Sequence, residues 1–380
     1  MVNIKEIRIG LIGAGWMGRT HANSLLNAYR LFGGQYGKPV FEIVSDVSES
    51  AASATAEQLG FARWTTDWRD VVNDERIDVV DIAAWNAFHY EVAKAALENG
   101  KHVYCEKPLT LSWEQSQELA ELAKAKGVIN YVGYNNVLNP ANAYVKELVT
   151  SGSLGEIIRF CGSYDQDCLL DPSVPLTWRH ISKYSGTGAL GDLCSHLLSI
   201  SQYIMGDIRR VQGMSKIVIK QRPVAPGASE MGEVENEDLV SVLAEYENGA
   251  IGMIGANRVS TGRKNHLHYE IVGTLGSVYY TLESMNEVHV YFHSDFPRDR
   301  GYRKVLLGLD HKGYKAFYPE AGFSLGYNDM KILEAHELLS AITQGTPYIC
   351  DFNFGARIDK TMAAILKSCN ENRFVEVNSL

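Results

Sequence analysis

The chain lacks most of what would mark it for nucleic acid, membrane or metal. No run of basic residues appears in its 380 residues, and 36 Lys and Arg against 45 Asp and Glu leave a formal charge of −9. A nucleic acid or an anionic membrane surface calls for a basic face, so the composition speaks against both as partners. No stretch approaches the roughly 18 apolar residues that a spanning helix requires, and the first apolar run is a short glycine-broken strand rather than a signal peptide. The six cysteines, Cys105, Cys161, Cys168, Cys194, Cys350 and Cys369, are scattered without CxxC or another metal spacing. Reduced thiols in a cytoplasmic compartment are the expectation. No internal repeat is present. What remains is a globular composition, 46% hydrophobic and 21% charged, in a chain long enough for two domains with substantial cores.

Residues 7–25 carry the clearest signal: an apolar, β-rich run beginning at Glu6, then Gly13-x-Gly15-x-x-Gly18, then a helix-compatible segment. Among 34 glycines such a triplet can arise by chance, and its context gives it weight. In a strand-turn-helix unit, Gly13 permits the tight turn, Gly15 lets backbone approach a pyrophosphate, and Gly18 lets helix pack closely on strand. The helix N-terminus then offers free N–H groups to the anion, beside Trp16 and Met17. A second apolar run over 40–44 ends near Asp46, where a carboxylate would accept hydrogen bonds from a ribose 2′-hydroxyl and repel a 2′-phosphate, favouring NAD over NADP. Asp46 is also readable as a strand-end acid beside the helix cap Ser48. The spacing is long, and residues 29–39 read as an inserted loop.

Helix and strand patterns then alternate: helix 49–59, strand 77–83, helix 88–99, strand 102–105, helix 113–126, strand 129–132. Such alternation predicts an α/β domain with a doubly wound parallel sheet, of Rossmann type, over residues 1–135. From Asn139 the pattern changes. Helix 141–150, strand 156–163 and helix 189–204 precede strands at 211–219, 239–246, 250–256, 268–272, 277–282 and 287–293, with a hairpin turn at Gly273-Thr-Leu-Gly276. Residues 136–380 are therefore expected to form an α+β domain with a large, mostly antiparallel open sheet. Loops 221–238 and 294–327 stand out by length. Helices 330–344 and 356–368 and a short strand at 374–377 are expected to pack back across both domains.

Three constellations carry candidate chemistry. The strand 102–105 runs into Glu106-Lys107-Pro108, and in an open parallel sheet ligands bind beyond the C-terminal strand ends. Lys107 there can accept a proton or anchor a hydroxyl, or it can be a solvated strand-end lysine. Asp192 and His196 are four apart on an expected helix, so they share one face beside the apolar stripe of Leu193, Leu197, Ile200 and Ile204. Histidine can relay a hydroxyl proton and a neighbouring acid can orient it, although a surface ion pair explains the same spacing. No third ligand lies at recognisable spacing, so no metal is expected. Between them, Gln166, Asp167, Trp178 and Arg179 offer a stacking face and hydrogen bonds suited to a polyhydroxylated ligand. A core Trp178 with turn-capping acids is the alternative.

The order Gly13-Ala-Gly15-Trp16-Met17-Gly18, Asn86 and His89, Glu106-Lys107-Pro108, then Gly191-Asp192 with His196 resembles the glucose-fructose oxidoreductase / inositol dehydrogenase (Gfo/Idh/MocA) family over nearly the whole chain. The resemblance implies oxidation of a secondary hydroxyl of a sugar or cyclitol by NAD(P), which Asp46 narrows to NAD, in a homodimer or homotetramer joined through the open sheet. It makes Lys107 the group that binds and polarises the hydroxyl, His196 the acid/base and Asp192 a substrate-positioning acid. It adds Ala84, Trp85, Asn86, His89, Glu106, Lys107 and Asn135 to the cofactor side, and Lys107, Gln166, Trp178, Arg179, Asp192 and His196 to the substrate side, with Lys107–Pro108 cis. Ala84-Trp85-Asn86 departs from the Thr-Pro that commonly precedes this asparagine. Pro175-Leu-x-Trp178-Arg179, Gly186-x-Gly-Ala-Leu-Gly-Asp192 and the stretch from Gly326-Tyr327 to Glu334-Ala335-His336 are similar to levoglucosan dehydrogenases and related glycoside 3-dehydrogenases. An inositol 2-dehydrogenase is the near alternative. An NAD-dependent glycosidase with transient carbon-3 oxidation and a non-catalytic NAD-dependent sensor are the further ones.

Overall fold

A computed structural model describes residues 6–34 and 36–380. Contacts divide the chain into two compact units, one made of the residues up to Asn135 with Gly326–Asp359, the other of Asn136–Leu325 with Lys360–Leu380.

The first unit opens with β1 (Glu6–Ile12), α1 (Trp16–Leu31), β2 (Lys38–Ser45), α2 (Glu49–Leu59), β3 (Arg63–Thr65), α3 (Arg69–Val72), β4 (Val79–Ile82), α4 (Asn86–Glu98), β5 (His102–Cys105), α5 (Trp113–Lys126) and β6 (Asn130–Val132). The six strands lie in the order β3-β2-β1-β4-β5-β6, every pair parallel. Strands covered on both faces should be apolar throughout; β4, Val-Val-Asp-Ile, is buried at all four positions, and its single acid has a partner described below. This is the doubly wound order, whose direction reverses between β1 and β4, and ligands of such sheets bind at that reversal.

The second unit contains α6 (Pro140–Thr150), β7 (Ile157–Asp165), α7 (Ser182–Ser185), α8 (Ser195–Met205), β8 (Ile208–Lys216), β9 (Gln221–Pro223), β10 (Met231–Glu233), β11 (Leu239–Tyr246), β12 (Ile251–Asn257), β13 (His266–Gly273), β14 (Gly276–Thr281), β15 (Glu287–Phe292) and β16 (Arg303–Leu306). The chain ends with α9 (Tyr327–Gln344), α10 (Phe352–Glu371) and β17 (Val375–Glu376). Nine strands form one sheet in the order β16-β15-β14-β13-β7-β12-β11-β8-β17, antiparallel except for β12 beside β7. Alternation fixes its faces. Val240, Val242 and Ala244 of β11 point inward and are buried, while Leu243, across from Met253 of β12, is exposed. Asn139 starts α6: its side chain accepts the Ala141 N–H at 2.9 Å and donates to the Tyr280 hydroxyl at 2.7 Å. Among the described residues no helix is long and apolar enough to cross a membrane.

Four local expectations change. α1 continues to Leu31 because its turns extend through Tyr29, with the Phe32 N–H still bonded to the Ala28 carbonyl at 3.0 Å; the inserted loop shrinks to the residues before Lys38, of which Gln35 lies outside the described residues. The expected helix 189–204 begins as a π turn over Leu190–Cys194 before α8. Loop 221–238 contains the β9–β10 ribbon. α9 starts three residues early because Asp329 Oδ2 accepts the Gly326 N–H at 2.7 Å.

Candidate active site

The glycine turn closes β1 at the sheet reversal. Gly13 has φ 103°, and its N–H donates to the Ser45 carbonyl at 2.8 Å; a Cβ there would stand 2.5 Å from the Ala83 carbonyl oxygen. Gly18 is confined in another way, since a Cβ would meet the Gly13 oxygen at 2.0 Å. A Cβ on Gly15 would meet nothing within 4 Å. The space over Gly15 is thus a cradle of bare backbone. α1 begins there with no side-chain cap and no acid in its first turn, so its leading N–H groups remain to be satisfied by an anion. These features fit a dinucleotide. Asp46 sits beside the turn: Oδ2 accepts the Ala14 N–H and Oδ1 the Ser48 N–H, each at 2.9 Å, which leaves each oxygen a second lone pair for a hydroxyl. Trp16 is 60% exposed, its ring 5.7 Å from that of Tyr327, and Met17 follows on the first turn, half-buried.

Beyond β4, Ala84 and Trp85 lead into Asn86, the first residue of α4. His89 is fully buried, with Nδ1 2.9 Å from the Pro108 carbonyl and Nε2 3.1 Å from that of Ala84. It ties the segment after β4 to the segment after β5. Lys107 and Pro108 follow β5 with a cis peptide bond between them, and the Lys107 side chain is half-buried.

Glu106 does not stand open beside Lys107. It is buried, and Oε1 lies 2.6 Å from Lys331 Nζ and 2.9 Å from His21 Nε2, while Oε2 accepts the Lys107 N–H at 3.0 Å. His21 Nδ1 faces Asp81 at 2.8 Å, and Lys331 also pairs with Glu334 at 2.9 Å. Tyr104 stacks on His21 with ring centroids 4.2 Å apart and donates to Glu334 Oε2 at 2.9 Å. Burial, the largest influence, would lower the His21 pKa, and Lys331 acts in the same direction, but the Asp81 charge together with the hydrogen bonds to Asp81 and Glu106 outweighs them, and the imidazole is raised to about 9. Both of its nitrogens therefore carry protons toward carboxylates. Burial would raise Glu106, yet Lys331 and then His21 hold it well below the usual carboxylate range; burial pushes Glu334 up against the opposing pull of Lys331. The Tyr327 hydroxyl is pushed up to about 12 by burial.

Sequence reasoning overlooked His21, Asp81, Lys331 and Glu334. Two signals could have found them: an acid inside the otherwise apolar β4, and a Lys-Glu pair at i,i+3 within a helix run of apolar residues.

In the second unit the π turn carries Asp192 into α8, which opens with Ser195 and the buried His196. Glu237 organises this start, its Oε1 accepting the Gly188 and Leu190 N–H groups at 2.9 and 2.8 Å. Asp192 lies 3.8 Å from Arg179 Nε, and the Arg179 guanidinium sits 4.5 Å over the Trp178 ring. The Arg179 carbonyl is held by Asn236 Nδ2 at 3.0 Å and by the buried Arg258 at 3.4 Å. His196 packs edge-on against Tyr164 at 6.0 Å; Gln166 Nε2 donates to the Tyr164 hydroxyl at 3.2 Å and to Asn265 at 2.9 Å. Asp167 instead pairs with Lys264 at 2.6 Å. One half of the second unit's expected set, Trp178, Arg179 and Asp192, thus forms a linked row, and Gln166 reaches His196 through Tyr164. A buried histidine, an acid, a guanidinium and a half-buried indole face suit hydroxyl recognition and proton transfer.

Comparison with known proteins agrees with this geometry. Residues 7–134 match the oxidoreductase family model with an NAD-binding Rossmann fold, and residues 142–279 match the GFO/IDH/MocA C-terminal domain. The chain is 33% identical to the levoglucosan dehydrogenase of Pseudarthrobacter phenanthrenivorans, over 98% of this chain and 99% of that one. It is 30% identical to the scyllo-inositol 2-dehydrogenase (NAD(+)) of Bacillus subtilis over 75% and 76%. A solved levoglucosan dehydrogenase in complex with NADH and levoglucosan superposes with a TM-score of 0.94 at 34% identity, covering 98% of this chain and all of the other.

Proposed function

This chain belongs to the GFO/IDH/MocA oxidoreductase family, and from that premise we propose that it oxidises a secondary hydroxyl of a pyranose or anhydrosugar of the levoglucosan type, at carbon 3, to a ketone. The observation that carries the reading is the full-length likeness to levoglucosan dehydrogenase, in a chain that keeps Lys107 after β5 and Asp192 and His196 at the start of α8.

Gly13, Gly15, Trp16, Met17, Asp46, Ala84, Trp85, Asn86 and Asn135 hold the cofactor in this reading, with His89 and Glu106 fixing the backbone around them. Bound NAD supplies the hydride acceptor. Lys107 donates to the reacting hydroxyl oxygen and stabilises the charge that develops there. His196 takes the hydroxyl proton as the C–H bond gives up its hydride, so the alcohol loses two electrons and two hydrogens and becomes the ketone. Asp192 and Arg179 grip neighbouring hydroxyls, while Trp178 and Gln166 offer a stacking face and a hydrogen bond. The likeness to scyllo-inositol 2-dehydrogenase supports cyclitol oxidation as the second reading. A panel of anhydrosugars, pyranoses and inositols with NAD or NADP, followed by NADH absorbance, tests both. Aglycone release from an aryl glycoside without net NADH would overturn them in favour of a glycosidase.

The exposed side chains of Met214, Leu243, Ile251 and Met253 share the outer face of the large sheet, and we propose that this face joins copies of the chain into a homodimer or homotetramer. Six free cysteines fit a cytoplasmic setting.

A further inference from the structure

The register of β7 and β13 assembles a group that lies outside the proposed chemistry. Asp165, the last residue of β7, pairs directly with His266, and His268 lies two residues along β13; alternation puts all three on one face of the sheet. One ligand atom from each of Asp165, His266 and His268 lies within 4.8 Å of the others. The two imidazoles stack with centroids 4.2 Å apart. His266 is 6% exposed, and the Nδ1 atoms of both histidines are buried without a hydrogen-bond partner. Asp165 Oδ2 stands 3.9 Å from His266 Nδ1, beyond hydrogen-bond reach. An unsatisfied buried polar atom costs about 1–3 kcal/mol, and two side by side facing a carboxylate are what a bound cation would explain.

We propose that Asp165, His266 and His268 form a binding site for a borderline divalent transition-metal ion such as Zn²⁺. Two imidazoles and a single carboxylate suit such an ion, whereas Ca²⁺ and Mg²⁺ demand more oxygen ligands. Bonds of about 2.1 Å in a tetrahedral set place ligands roughly 3.4 Å apart, so the three atoms close on the ion by about an ångström through side-chain rotation. The nearby cation Arg263 is paired with Glu283 at 3.3 Å, which blunts its repulsion. Three protein ligands leave the fourth position to water. The ion clips the end of β7 to the start of β13. Gln166 and Asn265, hydrogen-bonded to each other, immediately follow and precede the ligands, so the clip stiffens the segment carrying them.

The test uses the full-length chain, stripped with chelator and titrated calorimetrically with Zn²⁺, then with Co²⁺ followed by its visible ligand-field spectrum. One ion per chain is expected, with a histidine-type Co²⁺ spectrum. His268→Ala and Asp165→Asn should each weaken binding by roughly tenfold or more while circular dichroism and NADH binding stay unchanged; His266→Gln provides a third variant that removes the buried ligand. Absence of a stoichiometric site, or a site that survives both His268→Ala and Asp165→Asn, would overturn the proposal. Neither outcome bears on the dehydrogenase reading, which uses none of the three residues.

Discussion

Replacing Lys331 by Met should be among the most damaging single changes outside the reacting groups. Its ammonium is 1% exposed and lies 2.6 Å from Glu106, 2.9 Å from Glu334 and 3.2 Å from His21. Three acids, Asp81, Glu106 and Glu334, face two cations, His21 and Lys331. Burial pushes Glu334 toward its neutral form, which relieves the excess of acids over cations. Met fills the volume of the lysine stem but leaves Glu106 with His21 as its remaining buried cation, already engaged by Asp81. Removing one partner of a buried pair costs about 3–5 kcal/mol, against total stabilities of about 5–15 kcal/mol for folded domains. Urea unfolding followed by circular dichroism should show that loss as a lower midpoint at unchanged slope. The companion Lys331→Met/Glu106→Gln variant, which removes the stranded charge, should recover a large part of it, giving a positive coupling in the double-mutant cycle. A loss under about 1 kcal/mol for Lys331→Met, or no coupling with Glu106, would refute the reading of this cluster as a mutually neutralising set.

Further outcomes follow from the same geometry. His21 is raised from 6.5 to about 9, so its contribution is fully present below pH 6.5 and is lost as pH rises through 9; at about 1.4 kcal/mol per unit that is about 3 kcal/mol. The stability gap between the parent and His21→Gln should therefore narrow by that amount across the window, and a constant gap would contradict it. Gly15→Ala should leave the thermal midpoint unchanged and weaken NADH binding, whereas Gly18→Ala, whose Cβ meets Gly13 at 2.0 Å, should cost about 1–3 kcal/mol or more; equal effects of the two on stability would sink the distinction. Asp46→Ala should reduce the preference for NAD over NADP in initial-rate assays, and unchanged discrimination would remove it from ribose recognition. Met253→Lys, on the outer sheet face, should yield monomers by light scattering, and an unaltered assembly would place the interface elsewhere.

Five strands of the parallel sheet were legible because each is a short apolar run beside a helix, and the glycine turn because its chemistry is local; the edge strand β3, Arg-Trp-Thr, has no apolar run and was not. The π turn before α8 was not: nothing in Leu-Gly-Asp-Leu-Cys distinguishes a π turn from an α turn, and its widened backbone is accompanied by a tertiary hydrogen bond from the Leu190 N–H to Glu237, 47 residues away. The charge cluster escaped for the same reason. His21, Glu106 and Lys331 are separated by up to 310 positions and meet through the packing of α9 on α1. Glu106 illustrates the difference. Its place beside Lys107 suggested a side chain turned toward ligand, whereas the nearby cations draw it into the interior. Asp165, His266 and His268 could be grouped only once strand register was known, because a metal spacing read along the chain cannot reveal ligands on neighbouring strands.

In the proposed reaction, hydride leaves carbon 3 of a sugar for the nicotinamide. Levoglucosan deuterated at carbon 3, incubated with NAD and the full-length protein, tests it most directly by mass spectrometry of the coenzyme. Reduced coenzyme carrying the deuterium and slower turnover than with the protiated sugar are expected, with both signals lost in Lys107→Ala although that variant still binds NADH. Reduced coenzyme without deuterium, or undiminished transfer by Lys107→Ala, would contradict it.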